Sequence, residues 1–375
     1  MTEKRRLTRS DIFVGITLPW NIYDEDGHLL LKKGSLLDSE DKVDRLIERG
    51  VYAAAGSENF TADKAPAVRE KKSALAQIIE ARRILKQAST AAIPGEDFSA
   101  QVMSVVGLIE QACQINQNAA LATILLHREE RYSIRHSIDS ALITHLIGIH
   151  SGMHENERRS VTAAALTMNI SMLDLQDDLQ SRAAPLTPEE RLLIENHPIK
   201  SAEILGESGV GDDLWLMTLQ DHHESISGVG YPAHKKGDDV LLPTRIVSLA
   251  DVYCAKISGR DYRPPMRPNE AMRSLYLGQG GSIETFLAAQ LVKSLGVYPP
   301  GTSVRLKNGE IAIVTHLGEK ATAPIACSIY NGHGQRLEPA IRRDTALPTY
   351  TIVDVVTLSS MGSSIDFAAL WGKEA

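Results

Sequence analysis

The chain has 375 residues, 43% of them hydrophobic and 23% charged, with a formal net charge of -7 at pH 7. That length accommodates two or three domains with an ordinary buried core, and the acidic balance supplies no broad basic face for DNA. No apolar run approaches the ~20 residues of a membrane span, the N-terminus lacks the apolar core of a signal peptide, and Cys113, Cys254 and Cys327 show no CxxC spacing, so a reducing, cytoplasmic setting without a membrane partner is expected.

Residues 1–56 read as a small α+β unit. Ile12 to Tyr23 is strand-like, Asp26-Gly27 is a turn signal and His28 to Lys32 returns as a second strand. Asp38 or Ser39 can cap a short helix ending before Gly50, with a further strand over Val51 to Ala55. Residues 57–130 read as a linker followed by a helical brace. Its two amphipathic helices, Ser73 to Lys86 and Phe98 to His127, are separated by Ile93-Pro94-Gly95, and their apolar stripe suits an intramolecular contact or a homodimer.

From 131 to 297 the pattern is helical throughout. Helices are expected over Ser133 to His150, Arg159 to Leu175, Asp212 to His223, Leu242 to Ser258 and Asn269 to Leu277. Thr187, Pro188 and Glu190 form a capping-box start to another helix, which Pro198 should end or kink. Residues 298–375 change character: Val304 to Leu306, Ile311 to Leu317 and Ile325 to Tyr330 alternate like strands, with turn signals at Asn308-Gly309 and Asn331-Gly332. The expected fold is mainly α, with small β-containing units at both ends.

The histidines carry the chemical information. His136 lies on one helix, His197 precedes a proline, His222-His223 end another helix, and Asp251 interrupts an apolar run. A carboxylate in such a run is costly to bury unless it is paired or holds a metal. Imidazole and carboxylate groups from separate helices can converge in a bundle core and suit a divalent transition metal. Residue type and spacing alone do not separate that arrangement from histidines that serve packing or face solvent. His150 and His154 are a turn apart but run into a polar stretch, and Cys254 reads as a small buried residue rather than a nucleophile. After His222-His223, the run Glu224 to Pro232 contains Gly228, Gly230, Tyr231 and Pro232, a tight loop that allows close backbone approach to a ligand.

With these residues the sequence resembles the HD-GYP family of cyclic di-GMP phosphodiesterases, members of the HD superfamily. The likeness runs from about Arg131 to Leu277 and rests on HHExxxGxGYP at 222–232, supported by His197-Pro198, Ala250-Asp251-Val252-Tyr253 and Arg260-Asp261-Tyr262-Arg263. The resemblance implies metal ligation by His136, His197, His222, His223 and Asp251. It implies phosphate contacts by Arg260 and Arg263, and a ligand-lining loop from Gly228 to Pro232. It also exposes a departure: Met168 and Asn169 stand where the family has its HD pair, Ser171 and Met172 replace the following glycine and lysine, and Tyr132 replaces a glutamate of three-metal members.

A neutral amide bridges two cations poorly, and a thioether is a soft ligand unsuited to a hydrolytic centre. The expectation is therefore a cyclic di-GMP signalling protein that binds the dinucleotide, or a protein partner, without efficient hydrolysis. One divalent ion such as iron or manganese, not a dinuclear centre, is the expected cofactor. The alternatives are an active hydrolase with a single-metal site and a scaffold that binds no small ligand.

Overall fold

A computed structural model describes residues 4–7, 11–12, 18, 20–35, 37, 40–54, 73–89, 97–259, 264–277, 285–357, 365–373 and 375. The chain divides into two compact units, Met1–Glu70 and Lys71–Ala375.

In the first unit, β1 (Lys4–Arg6), β2 (Ile22–Tyr23), β3 (Leu29–Leu31) and β4 (Tyr52–Ala54) form an antiparallel sheet in the order β1-β4-β2-β3. Helix α1 (Glu40–Arg49) joins them, and Ile12, Leu18, Ile22, Leu37, Val43 and Val51 make the core. The strand expected from Ile12 is confined, among the described residues, to Ile22–Tyr23. The linker expected at 57–72 and the Ile93-Pro94-Gly95 break lie outside the described residues.

The second unit begins with α2 (Ala74–Ala88), where the Ser73 hydroxyl accepts from Ala76 N at 3.1 Å as an N-cap. Next comes α3 (Phe98–Leu126). Its backbone leaves helical values at Asn116, whose Oδ1 accepts from Ala119 N at 3.0 Å and so restarts the helix like an internal cap. Beyond it, α4 (Tyr132–His150), α5 (Glu155–Thr167), α6 (Leu173–Ser181), α7 (Pro188–Glu207), α8 (Asp213–Asp221) and α9 (Leu242–Ser258) build the helical centre. Helices α10 (Pro268–Tyr276) and α11 (Thr285–Leu295) complete it. The core contains Ile138, Leu142 and Leu146 of α4, Ala163 to Ala165 of α5, and Val247, Ala250 and Tyr253 of α9. The small side chains of α5 allow close approach to its neighbours.

One helix expectation needs correcting. The single helix over Arg159 to Leu175 is two, with a 3-10 turn at Ile170–Met172 between α5 and α6. Ser171 explains the break: its N–H donates to Ser201 Oγ at 3.3 Å and its hydroxyl donates to His197 O at 3.1 Å, bonds that compete with the helical pattern. Of the two outcomes expected at Pro198, an end does not occur: α7 continues to Glu207.

After α11 come β5 (Ser303–Leu306), β6 (Ile311–His316), β7 (Ile325–Tyr330), β8 (Arg336–Asp344) and β9 (Ile352–Val355), antiparallel in the order β8-β7-β6-β5-β9. A short helix, α12 (Phe367–Trp371), follows. Thus a mainly helical chain carries small sheets toward both ends.

Candidate metal centre

Proline at position 198 has no N–H to give to the carbonyl of Ile194, four residues earlier. The imidazole of His197 takes that carbonyl instead, Nδ1 to Ile194 O at 2.5 Å. The helix is patched and the ring is aimed in one step. His222, just past the end of α8, is tied in the same way, with Nδ1 2.6 Å from Leu219 O. With both Nδ1 atoms donating to carbonyls, both Nε2 atoms are left as acceptors. They face each other at 3.2 Å.

His223 completes the cluster, its ring centroid 4.1 Å from that of His222 and 5.1 Å from that of His197. Each of the three offers a nitrogen within 4.8 Å of the others. Burial holds all three imidazoles below the usual histidine range, His223 at about 3, with mutual repulsion adding at His222 and His223. Neutral imidazoles with converging lone pairs repel without a cation and fit one, so this donor set suits a single divalent transition metal.

Asp251 and His136 take a different arrangement. They pair with each other, His136 Nε2 to Asp251 Oδ1 at 2.7 Å, with Asp251 9% exposed. Burial opposes ionisation of Asp251, but the hydrogen bond and charge of His136, with His222 and His197, outweigh it and hold the carboxyl below its ordinary value. The cost foreseen for an acid in an apolar run is met by this partner. On the other side of the ring, the Tyr132 hydroxyl lies 3.4 Å from His136 Nδ1.

The loop after His223 is held by a residue of the motif to which the sequence assigned no role of its own. Glu224, 3% exposed, accepts from Ala233 N at 2.5 Å and from Lys235 N at 2.9 Å. Its place beside the two histidines was the available signal. At Gly230 a Cβ would sit 2.5 Å from His223 O, so only glycine permits this closure. Gly228 takes φ 78, and Tyr231, followed by Pro232, stacks on His223 with centroids 4.7 Å apart. Arg260 and Arg263 lie outside the described residues.

Met168 is fully buried within the apolar core. Asn169 is 2% exposed, and its Oδ1 has no hydrogen-bond partner among the described residues. A cavity of about 530 Å³ opens beside His197, lined among others by Ser171, Met172, Leu193, Asn196 and Lys200. His150 stands apart, bonded through Nδ1 to Leu146 O and Ser294 Oγ, and burial pushes the Cys254 thiol well up, away from nucleophilic use.

A helical bundle that gathers histidines and a buried aspartate from separate helices is the architecture of an HD domain, and the HD-domain family model matches residues 117–283. Over that region the chain resembles the HD-GYP family. It is 26% identical over 216 residues to the cyclic di-GMP phosphodiesterase PA4108 of Pseudomonas aeruginosa, covering 58% of this chain and 52% of that protein. It is 28% identical to the 3'3'-cGAMP-specific phosphodiesterase 3 of Vibrio cholerae, covering 45% of this chain and 36% of the relative. The chain therefore spans about half the length of the first relative and about a third of the second. Bd1817, an HDG"Y"P protein of Bdellovibrio bacteriovorus, is 16% identical with a TM-score of 0.49, over 78% of this chain and 99% of that one. Among the described residues no helix is long and apolar enough to cross a membrane.

Proposed function

We propose that the chain binds a cyclic di-GMP-type dinucleotide beside one divalent metal ion and acts in signalling rather than as an efficient phosphodiesterase. The observation that carries this reading is how the donors are engaged. His197, His222 and His223 converge on one point, whereas Asp251 is engaged by His136 at 2.7 Å. The position after Met168 offers an amide in place of a bridging carboxylate, so the HD pair is degenerate. A two-metal hydrolase holds the attacking and leaving oxygens between two cations, and a neutral amide does not keep both in place. The dinucleotide class follows from the relatives, whose names specify cyclic di-GMP and 3'3'-cGAMP. Gly228, Gly230, Tyr231 and Pro232, with Arg260 and Arg263, are the residues we assign to it; arginine suits phosphate through its planar fork of donors.

The second reading is an altered hydrolase with a single metal. The three neutral imidazoles favour it, because a cation held by them would supply Lewis acidity beside the ligand. Calorimetric titration of the full chain with cyclic di-GMP, paired with chromatography for linear products, separates the two. The main reading expects saturable binding that weakens in the Arg260→Ala, Arg263→Ala double variant, with no product beyond a metal-free control. Brisk product formation establishes the second reading; no heat at high micromolar ligand overturns both.

A further inference from the structure

A second cavity, of about 210 Å³, lies where α3, α4 and α5 meet, lined among others by Glu110 and Gln114 of α3, His145 of α4, and Glu155 and Arg158 of α5. It shares no lining residue with the cavity beside His197. Three of its lining residues each keep a buried atom without a hydrogen-bond partner among the described residues: Glu110 Oε1, His145 Nδ1 and Arg158 Nε. His145 is 3% exposed. Leaving such groups unpaired forfeits their hydration without return. The two charged ones are nevertheless held in place by their other atoms. Arg159 Nη1 donates to Glu110 Oε2, and Arg158 Nη1 donates to Met153 O at 3.3 Å. The stem of Arg158 lies against α4 at Gly148, where a Cβ would stand 3.1 Å from its Cγ. Glu110 Oε1 and Arg158 Nε are thus fixed groups of opposite sign on one cavity, with no ion pair between them among the described residues.

We propose that this cavity binds a small zwitterion of the α-amino-acid class, its carboxylate on the guanidinium of Arg158 and its ammonium on Glu110 Oε1. A planar guanidinium suits a carboxylate, and a buried carboxylate oxygen with no donor suits an ammonium. The exposed Glu155 adds a second negative charge, which disfavours a bare anion, while Arg158 and Arg159 disfavour a bare cation. Burial and the two arginines keep the His145 ring neutral down to about 4, so it offers a hydrogen bond and no charge. At ~30 Å³ per water the cavity has room for about seven waters, the scale of a small metabolite and not of a dinucleotide. Three helices share the site, so a bound molecule would fasten α3 to α4 and α5. The inference stands apart from the metal centre and needs no ion there.

Equilibrium dialysis of the full chain against an equimolar mixture of the common L-amino acids, with amino-acid analysis of both compartments, tests the assignment. At least one amino acid is expected to be retained above its free concentration. Glu110→Gln and Arg158→Lys should each weaken that retention at least about 10-fold, because each removes a charge-assisted hydrogen bond. Thermal melting of the free variants checks that they fold. If either melts early, two analogues of the retained amino acid carry the test with the wild type, one lacking the carboxylate and one lacking the ammonium; both should bind at least about 10-fold more weakly. No retention of any amino acid at millimolar concentration overturns the inference, as does equal binding of the two analogues or unchanged retention in both folded variants. Loss of retention in a folded His222→Ala variant would place the molecule at the histidine cluster and overturn it too.

Discussion

The buried histidines differ in what their second nitrogen meets. At His197 and His222 that partner is a backbone carbonyl, which directs the free nitrogen toward the cluster. His145 on α4 shows the opposite case. It is 3% exposed, its Nδ1 has no partner among the described residues, and burial together with the charges of Arg158 and Arg159 holds its pKa down at about 4. An unfolded chain protonates this ring near ~6.5, whereas the folded one resists until about 4. The unfolded state thus binds more protons between those values, and stability falls as pH is lowered through the window. The contribution of His145 is present above ~6.5 and lost by pH ~4, on the order of 3 kcal/mol at ~1.4 kcal/mol per pH unit. Urea unfolding at pH 7 and at pH 4.5 should show a smaller loss in His145→Leu than in the wild type; equal losses would contradict the assignment.

At the scale of elements, α7 is the most instructive. The capping box at Thr187 and Glu190 was legible because it is a local pattern, and both of its hydrogen bonds form. Sequence left open whether the helix would end or continue at Pro198, because continuation depends on a side chain replacing a backbone donor. Pro198→Ala restores that donor, and its N–H then competes with His197 Nδ1 for the Ile194 carbonyl. The variant should melt higher, since proline inside a helix costs about 3 kcal/mol. It should also bind metal more weakly, since His197 loses its anchor. A rise in melting temperature with unchanged metal affinity would show that the anchor does not matter.

Helix α2 makes a second element-scale case. Arg82 is 2% exposed and reaches across to Asp139 of α4 at 3.0 Å and to the carbonyl of His127 at 2.8 Å. Burial pushes the Asp139 carboxyl up, against the pull of Arg82 and Arg135. Removing one member of such a pair strands the other, at about 3–5 kcal/mol, whereas replacing both with apolar groups is often neutral. A double-mutant cycle with Arg82→Met and Asp139→Leu should therefore find the double variant more stable than either single one in denaturant unfolding. A double variant as unstable as the sum of the singles would mean that the pair does not couple the two helices. Periodicity exposed α2 as amphipathic but gave no sign of this partner. Arg82 and Asp139 are distant in sequence, and only packing brings them together.

Across the molecule, the helical character, the terminal sheets and the histidine-bearing segments were readable, because they rest on period, turn chemistry and a dense local motif. The division of labour within the site was not. Sequence placed His136, His197, His222, His223 and Asp251 in one candidate set; the hydrogen bond between His136 and Asp251 and the clustering of the other three are details that only the packed helices supply. Nor could sequence show that Met168 serves the core while Asn169 keeps an unpaired oxygen, because burial at single positions depends on the neighbouring helices.

Counting metal ions per chain by elemental mass spectrometry, in the native protein and in the Met168→His, Asn169→Asp double variant, bears most directly on a centre of one cation. After identical loading with manganese and removal of excess, one ion per chain is predicted in the native protein and two in the variant. Two ions in the native protein would contradict the account.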